Sequence, residues 1–141
     1  MNSNQDLSRF VSAQERDYQT ALAEIRSGRK RSHWIWYIFP QIAGLGMSST
    51  AQYYSIRDLD EAKAFIADSY LGGNLIEISE ALLELESSDP SDVMGYPDDL
   101  KLCSSMTLFE VAAPEQEVFG RVLDKFYGSR RDARTLELLG R

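Results

Sequence analysis

The segment SSMTLFEV, residues 104–111, decides whether this chain is all-helical or mixed. Its threonine, phenylalanine and valine are typical of β-strands, and so are the rings and branched side chains of HWIWYIF at 33–39. Two short strands alone are poorly stable without a third strand or a helix to cover them. Pro97 also suits the first position of a helix that runs through 104–111. We therefore predict helix for both segments.

Apolar residues recur at helical spacing along much of the remaining chain. The N-terminal part predicts a helix through Ile25 that Gly28 ends, since glycine readily adopts the left-handed conformation found there. Asp58, with Glu61 three residues later, forms a variant of the capping box and predicts the start of another helix.

Breaks and caps complete the prediction of the fold. The pair Gly72-Gly73 is expected to interrupt a helix, and SSDPS at 87–91 is predicted to be a loop. Ser32 is a plausible N-cap for the helix predicted at 33–39, which we call the aromatic segment. We predict an all-α fold, a single compact domain over residues 1–141 with about six to eight short helices.

Length and composition are those of an ordinary globular protein. At 141 residues the chain fits one domain, and 43% hydrophobic with 26% charged residues argues against a disordered or fibrous chain. No apolar run approaches the ~20 residues needed to cross a bilayer, and the N-terminus lacks the pattern of a signal peptide. We expect a soluble, cytoplasmic protein that does not bind membranes.

Charge divides the chain into an acidic middle and basic flanks. The net charge is −7, yet residues 32–120 hold 3 basic and 15 acidic side chains, while the flanks hold 12 basic and 7 acidic ones. A long nucleic acid would meet mostly repulsion from such a body, so we expect none as a partner. A small anion bound at the basic edge remains compatible with this charge.

Metal and disulfide chemistry are restricted by composition. Cys103 is the only cysteine and His33 the only histidine, so no intrachain disulfide and no zinc site of the usual thiolate and imidazole kind can form. No acidic cluster has the spacing of a calcium loop. We predict no metal and no cofactor.

Several blocks of sequence resemble a known family. They are SHWIWYIFPQIAGLGMS, YYSI, EAKAFI, YLGGNLIE, GYPDDLKLCSSMTLFEVA and TLELL, in this order. In nearly its whole length the chain resembles domain-of-unknown-function family 1810, small bacterial proteins sometimes mislabelled calpastatin. The resemblance implies a single, mostly helical domain and implies no activity. Relatives usually carry His-Pro before the Leu-Gly and Arg after it, where this chain has Asp68-Ser69-Tyr70 and Asn74.

The aromatic segment is the first candidate site. Trp34 and Trp36 are two residues apart, so they cannot face the same way on a helix, and each indole N–H needs a partner if buried. One interpretation places one ring in the core and the other in a seam between helices. The other interpretation makes a ring the platform on which a planar ligand, such as a nucleobase, stacks.

Polar residues around the rings could serve the same ligand. Arg29, Lys30 and Arg31 could bind its phosphates, although basic runs are often only solvated. His33 is the side chain best suited to carry a proton near neutral pH, and Gln41 offers a donor and an acceptor at a turn.

The segment that precedes 104–111 is the second candidate site. Asp98 and Asp99 fall in the first turn of the predicted helix, where capping alone could account for them. Lys101, Ser104 and Ser105 share one helix face, where the serines could bind a ligand or only allow close helix packing.

Two functional hypotheses remain open. In the first, both segments line one cleft that binds a small planar, phosphorylated, nucleotide-like ligand, and any catalysis would be hydrolysis with an aspartate activating water. In the second, the protein is a non-catalytic interaction module, as a monomer or a homodimer, whose exposed aromatic side chains contact a protein partner.

Overall fold

Nine helices form the fold within residues 6–141, the part of the chain that the computed structural model describes. In chain order they are α1 (Ser8–Arg26), α2 (Ile35–Ile38), α3 (Ser49–Tyr53), α4 (Leu59–Ala67), α5 (Ser69–Leu83), α6 (Pro90–Met94), α7 (Asp98–Ala112), α8 (Glu117–Tyr127) and α9 (Ala133–Leu138). Within that range the β-type pairing is one isolated parallel bridge between Ile42 and Ile56. The predicted all-α fold in a single compact domain is confirmed.

Helix α7 is the central element. It packs against α2, α4, α6, α8 and α9, and it has buried residues on all sides. A helix that is surrounded in this way needs no polar stripe, which is why its sequence lacks clear helical periodicity. The Phe109 ring lies 5.3 Å from that of Phe65 and 6.0 Å from that of Phe119, so it joins α4 and α8 across α7. The helix prediction for 104–111 is confirmed.

The aromatic segment forms only one helical turn, α2. Ser32 is not its N-cap, because the Ser32 hydroxyl donates to a carboxylate oxygen of Glu24 and the helix begins three residues later at Ile35. Trp34 occupies the cap position without a side-chain hydrogen bond to the helix. The predicted helix is present, but the predicted cap was wrong.

The break between α4 and α5 lies before the glycine pair. Asp68 ends α4 and caps α5, since its carboxylate accepts the N–H groups of Tyr70 at 3.0 Å and Leu71 at 2.9 Å. Helix α5 then continues through Gly72 and Gly73. A Cβ at Gly72 would lie 2.0 Å from the carbonyl oxygen of Ile66, so this glycine permits close packing and does not interrupt the helix.

The loop predicted at 87–91 ends earlier than expected. Asp89 accepts the N–H of Ser91 at 2.9 Å, and Pro90 takes the first position of α6. An aspartate followed by proline is a normal helix start, and its composition resembles that of a loop.

Caps elsewhere agree with the sequence. The carboxylate of Asp58 accepts the N–H of Glu61 at 2.9 Å, as the capping-box variant predicts. Gly28 has a positive φ of 93° just after α1.

No helix among residues 6–141 has the length and apolar character that crossing a membrane requires.

Candidate functional site

The two candidate segments lie side by side. Nζ of Lys30 is 2.7 Å from one carboxylate oxygen of Asp98, and Nζ of Lys101 is 3.2 Å from the other. The backbone N–H of Lys30 also donates to the carbonyl of Val93 at 2.7 Å. The loop before α2 is therefore attached to the start of α7.

The ion pairs at Asp98 restrict what its carboxylate can do. The Lys30 and Asp98 side chains are only 6% and 18% exposed. Because each oxygen of Asp98 is next to an ammonium group, neither is free to activate a water molecule. Two ammonium groups and one carboxylate leave this cluster with a net positive charge, and Lys101 is its more exposed end at 26%.

Trp34 belongs to the core. Trp34 is 1% exposed, and its indole N–H donates to a carboxylate oxygen of Glu24 at 2.9 Å. The Lys30 ammonium group lies 5.0 Å from the centroid of its ring. No ring face remains for a planar ligand, so we omit Trp34 from the binding residues proposed below. Trp36 is half-buried, with its ring centroid 5.7 Å from Nζ of Lys101.

The Glu24 carboxylate holds the loop between α1 and α2. It accepts the N–H groups of Arg31 at 2.8 Å and Ser32 at 3.0 Å, in addition to the Ser32 hydroxyl at 2.6 Å and the Trp34 indole. Burial acts to raise the pKa of Glu24, but the hydrogen bonds from Ser32, Arg31 and Trp34 outweigh it and lower the pKa to about 2. The charged form is the one that stabilises the loop.

Replacing Glu24 with glutamine should flatten the loss of stability in acid. Because folding lowers this pKa from the ordinary 4.5 to about 2, its stabilisation is complete above pH 4.5 and is lost as the pH falls toward 2. Urea unfolding at pH 5 and at pH 2.5 should show a smaller drop in unfolding free energy for Glu24→Gln than for wild type. Glu15→Gln, an exposed position on α1, is the control, and equal drops in both variants would contradict the assignment.

Asp99 and Ser105 point into the protein. Asp99 is 8% exposed; one carboxylate oxygen accepts the Ser91 hydroxyl at 3.1 Å, while the other is buried without a hydrogen-bond partner in the described residues. Ser105 is 0% exposed, and its hydroxyl has no partner there either. Neither side chain can contact a ligand at the surface.

The exposed residues of the first segment do not line the two grooves described below. Arg29, Arg31 and His33 are exposed, and none of them contributes to the lining of either groove. Their proximity to Lys30 in sequence does not bring their side chains to the same place.

Three of the predicted binding residues do meet, in a groove of about 240 Å³ that we call the Lys101 groove. It lies between the loop after α2, the first half of α7 and the start of α9. Its lining includes Gln41, Leu45, Leu100, Lys101, Ser104 and Arg134. Leu100 is 54% exposed, a large apolar side chain open to solvent.

The polar groups of the Lys101 groove are incompletely used by the protein. The side-chain amide of Gln41 has no hydrogen bond within residues 6–141. The Ser104 hydroxyl donates to the carbonyl of Leu100 at 3.2 Å and keeps its own acceptor capacity. Among the described residues Arg134 forms an ion pair with Glu137 alone, and both side chains are more than half exposed. Exposed pairs of this kind contribute little to stability, so Arg134 can exchange its partner.

Comparison with known proteins places the chain in a family. The model of the DUF1810 family, proteins of unknown function, matches residues 4–139. The chain belongs to the DUF1810 family. Its fold matches the crystal structure of the conserved hypothetical protein Rv1873 from Mycobacterium tuberculosis, with 43% identity, 99% of each chain covered and a TM-score of 0.96. The comparison with curated proteins gives no match.

A second groove of this DUF1810 protein adjoins the first. It has a volume of about 380 Å³, and we call it the Cys103 groove. Leu100, Ser104 and Asp132 line both grooves, while Cys103, Tyr127 and Arg130 line only the second. Burial raises the pKa of the Cys103 thiol to about 11, so this thiol is a weak nucleophile at neutral pH.

Sequence reasoning missed the contribution of the C-terminal segment. Arg130 and Arg134 lie 25 or more residues beyond the predicted site, and the basic character of the C-terminal flank was the only sign of them. Their position depends on α9, which Asp132 caps by accepting the N–H of Thr135 at 3.0 Å. The N–H of Asp132 in turn donates to the Thr107 hydroxyl of α7 at 2.9 Å.

In residues 6–141 of this DUF1810 protein, no three His, Cys, Asp or Glu side chains lie close enough together to bind a metal ion.

Proposed function

We propose that this DUF1810 protein binds a small anionic ligand with a flat or apolar part in the Lys101 groove. The observation that carries the proposal is the meeting of Lys101 and Arg134 with the side-chain amide of Gln41 and the Ser104 hydroxyl in the lining of one groove, on a chain whose net charge is −7. Two cations at one groove of an acidic protein favour an anion there.

The anionic end of the ligand is assigned to Lys101 and Arg134. Lys101 belongs to a cluster with net positive charge, because Asp98 is shared with Lys30. Arg134 presents a planar guanidinium that can bind a phosphate or carboxylate with two parallel hydrogen bonds. A phosphate monoester fits this pair of cations.

The flat part of the ligand is assigned to the apolar wall formed by Leu45 and Leu100. Nζ of Lys101 lies over the half-buried ring of Trp36, so a ligand at Lys101 would change the surroundings of this ring. Gln41 could bind the edge of a heterocycle through its amide donor and acceptor. Together these features support a nucleotide-like ligand.

Hydrolysis is not part of the proposal. Both oxygens of Asp98 contact lysines, Asp99 is buried, and His33 does not line the Lys101 groove. A general base must reach the proton that it abstracts, and none of these groups faces the Lys101 groove.

Replacing Lys101 with methionine should weaken ligand binding about tenfold or more. A hydrogen bond to a charged group contributes about 1.5–3 kcal/mol, and about 1.4 kcal/mol corresponds to a factor of ten. The measurement is isothermal titration with nucleoside monophosphates, sugar phosphates and inorganic phosphate. At least one nucleotide should bind the wild type.

The matched control is Lys63→Met on α4, which removes the same charge at an exposed position away from the groove. It should leave the affinity unchanged. If both variants bind the ligand equally weakly, the effect of Lys101→Met comes from the overall charge and not from the groove. If no compound of the panel binds at millimolar concentration, the proposal is refuted.

A protein partner, including a second copy of the chain, is the second candidate. Met47 and Tyr96 are each 80% exposed, and they are the chain neighbours of Gly46 and Pro97, which line the Lys101 groove. Exposed aromatic and methionine side chains are enriched in protein interfaces. A sedimentation coefficient that rises with protein concentration in the wild type would favour this candidate. The double variant Met47→Gln with Tyr96→Ser should abolish that rise.

A further inference from the structure

We infer that the ligand carries two anionic groups, one bound at Lys101 and Arg134 and the other at Arg130 in the Cys103 groove. This inference rests on the proposed function and specifies its ligand class as a nucleotide-like compound with a second anionic group, such as a nucleoside bisphosphate. It follows from the continuity of the two grooves and from the cation that each contributes.

The two grooves are separated by very little protein. Both are lined by Leu100 and Ser104, which are one helical turn of α7 apart. Four residues of α-helix span about 6 Å, so the shared edge is shorter than a nucleoside. Leu100 is 54% exposed on this edge, which gives the middle of a ligand an apolar surface to cross.

The Cys103 groove has its own cation. Arg130 forms no ion pair with any residue of the described range 6–141, and its side-chain Nε donates to the carbonyl of Tyr127 at 3.3 Å. Its terminal nitrogens are therefore available. Arg131, by contrast, is engaged by Glu110, with Nε 2.8 Å from a carboxylate oxygen, and by the carbonyl of Ser129 at 2.6 Å.

An acidic residue, Asp132, lines both grooves. One of its carboxylate oxygens accepts both the N–H and the hydroxyl of Thr135. That oxygen is engaged in capping the start of α9. Arg130 and Arg134 flank Asp132 in sequence, so the local charge of this segment is positive.

Adenosine 5′-monophosphate and adenosine 3′,5′-bisphosphate form a matched pair of probes. They share the base and ribose and differ by one phosphate. We expect the bisphosphate to bind wild type at least tenfold more tightly than the monophosphate. Arg130→Met should remove this advantage without changing the affinity for the monophosphate, while Arg26→Met, an exposed arginine at the end of α1, should preserve it.

Cys103 reports independently on the second groove. As the only cysteine, it can be alkylated with iodoacetamide at pH 9, where its raised pKa still permits a measurable rate. The bisphosphate should slow the reaction at least fivefold at saturation, and the monophosphate should slow it much less.

The outcomes separate the two proposals. If both nucleotides bind in a manner that depends on Lys101, but the bisphosphate gains nothing from Arg130 and leaves Cys103 equally reactive, the second anionic group is refuted and the proposal for the Lys101 groove is retained. If neither nucleotide binds at millimolar concentration, both proposals are overturned.

Discussion

Replacing Trp34 with alanine should reduce the free energy of unfolding by about 3–5 kcal/mol, the usual loss for a large aromatic side chain in a core. Trp34 is 1% exposed, and its ring packs 6.2 Å from that of Phe39, measured between centroids. The change would also leave Glu24 without one of its donors, at 2.9 Å in the native protein. Urea unfolding at pH 7 measures the effect.

Two variants separate the contributions of the Trp34 side chain. Trp34→Phe retains most of the apolar ring and removes the indole N–H, so its cost should be about 1.5–3 kcal/mol, the contribution of one hydrogen bond to a charged group. Trp36→Ala, at the half-buried tryptophan, should cost less than Trp34→Ala. A larger loss at Trp36 than at Trp34 would contradict the assignment of the core ring.

Replacing Glu61 with alanine should cost about 3–5 kcal/mol, because breaking a buried ion pair leaves the other charge without compensation. Glu61 is 0% exposed and its carboxylate lies 2.9 Å from the Arg9 guanidinium. The same carboxylate accepts the backbone N–H of Arg57 at 2.8 Å. The pair therefore joins α1 to the start of α4. Thermal or urea unfolding measures the loss.

An exposed ion pair with the same distance between its charged atoms provides the control. Glu117 and Arg121 are also 2.9 Å apart, but their side chains are 76% and 65% exposed. Glu117→Ala should cost no more than about 0.5 kcal/mol. The double variant Glu61→Ala with Arg9→Met should lose less than the two single changes added together, since they share one interaction. Additive losses would show that the pair is not coupled.

Helix content could be predicted from the sequence, while several boundaries could not. The argument that two short strands are poorly stable was enough to assign 104–111 to a helix. The role of Gly72 required the structure, because only the path of the chain brings Ile66 within 2.0 Å of the position of a Cβ. The start of α6 was missed because Asp89 and Pro90 are common both in loops and at helix starts.

The candidate site was predicted only in part. Spacing on one helix face grouped Lys101 with both serines, yet only Ser104 reaches the groove, since Ser105 faces the core. Proximity in sequence grouped Arg29, Lys30 and Arg31, whereas the fold buries the Lys30 side chain against Asp98 and leaves the two arginines outside the Lys101 and Cys103 grooves. Arg134 could not be found from local patterns, because its position depends on how α9 packs on α7.

A nitrogen-15 NMR titration with adenosine 5′-monophosphate tests the central claim most directly, which is that the Lys101 groove is the binding site. The account predicts saturable shift changes that are largest at the amides of Gln41, Lys101, Ser104 and Arg134, and that are lost in Lys101→Met. Largest changes at 29–33, or changes that never saturate, would contradict it.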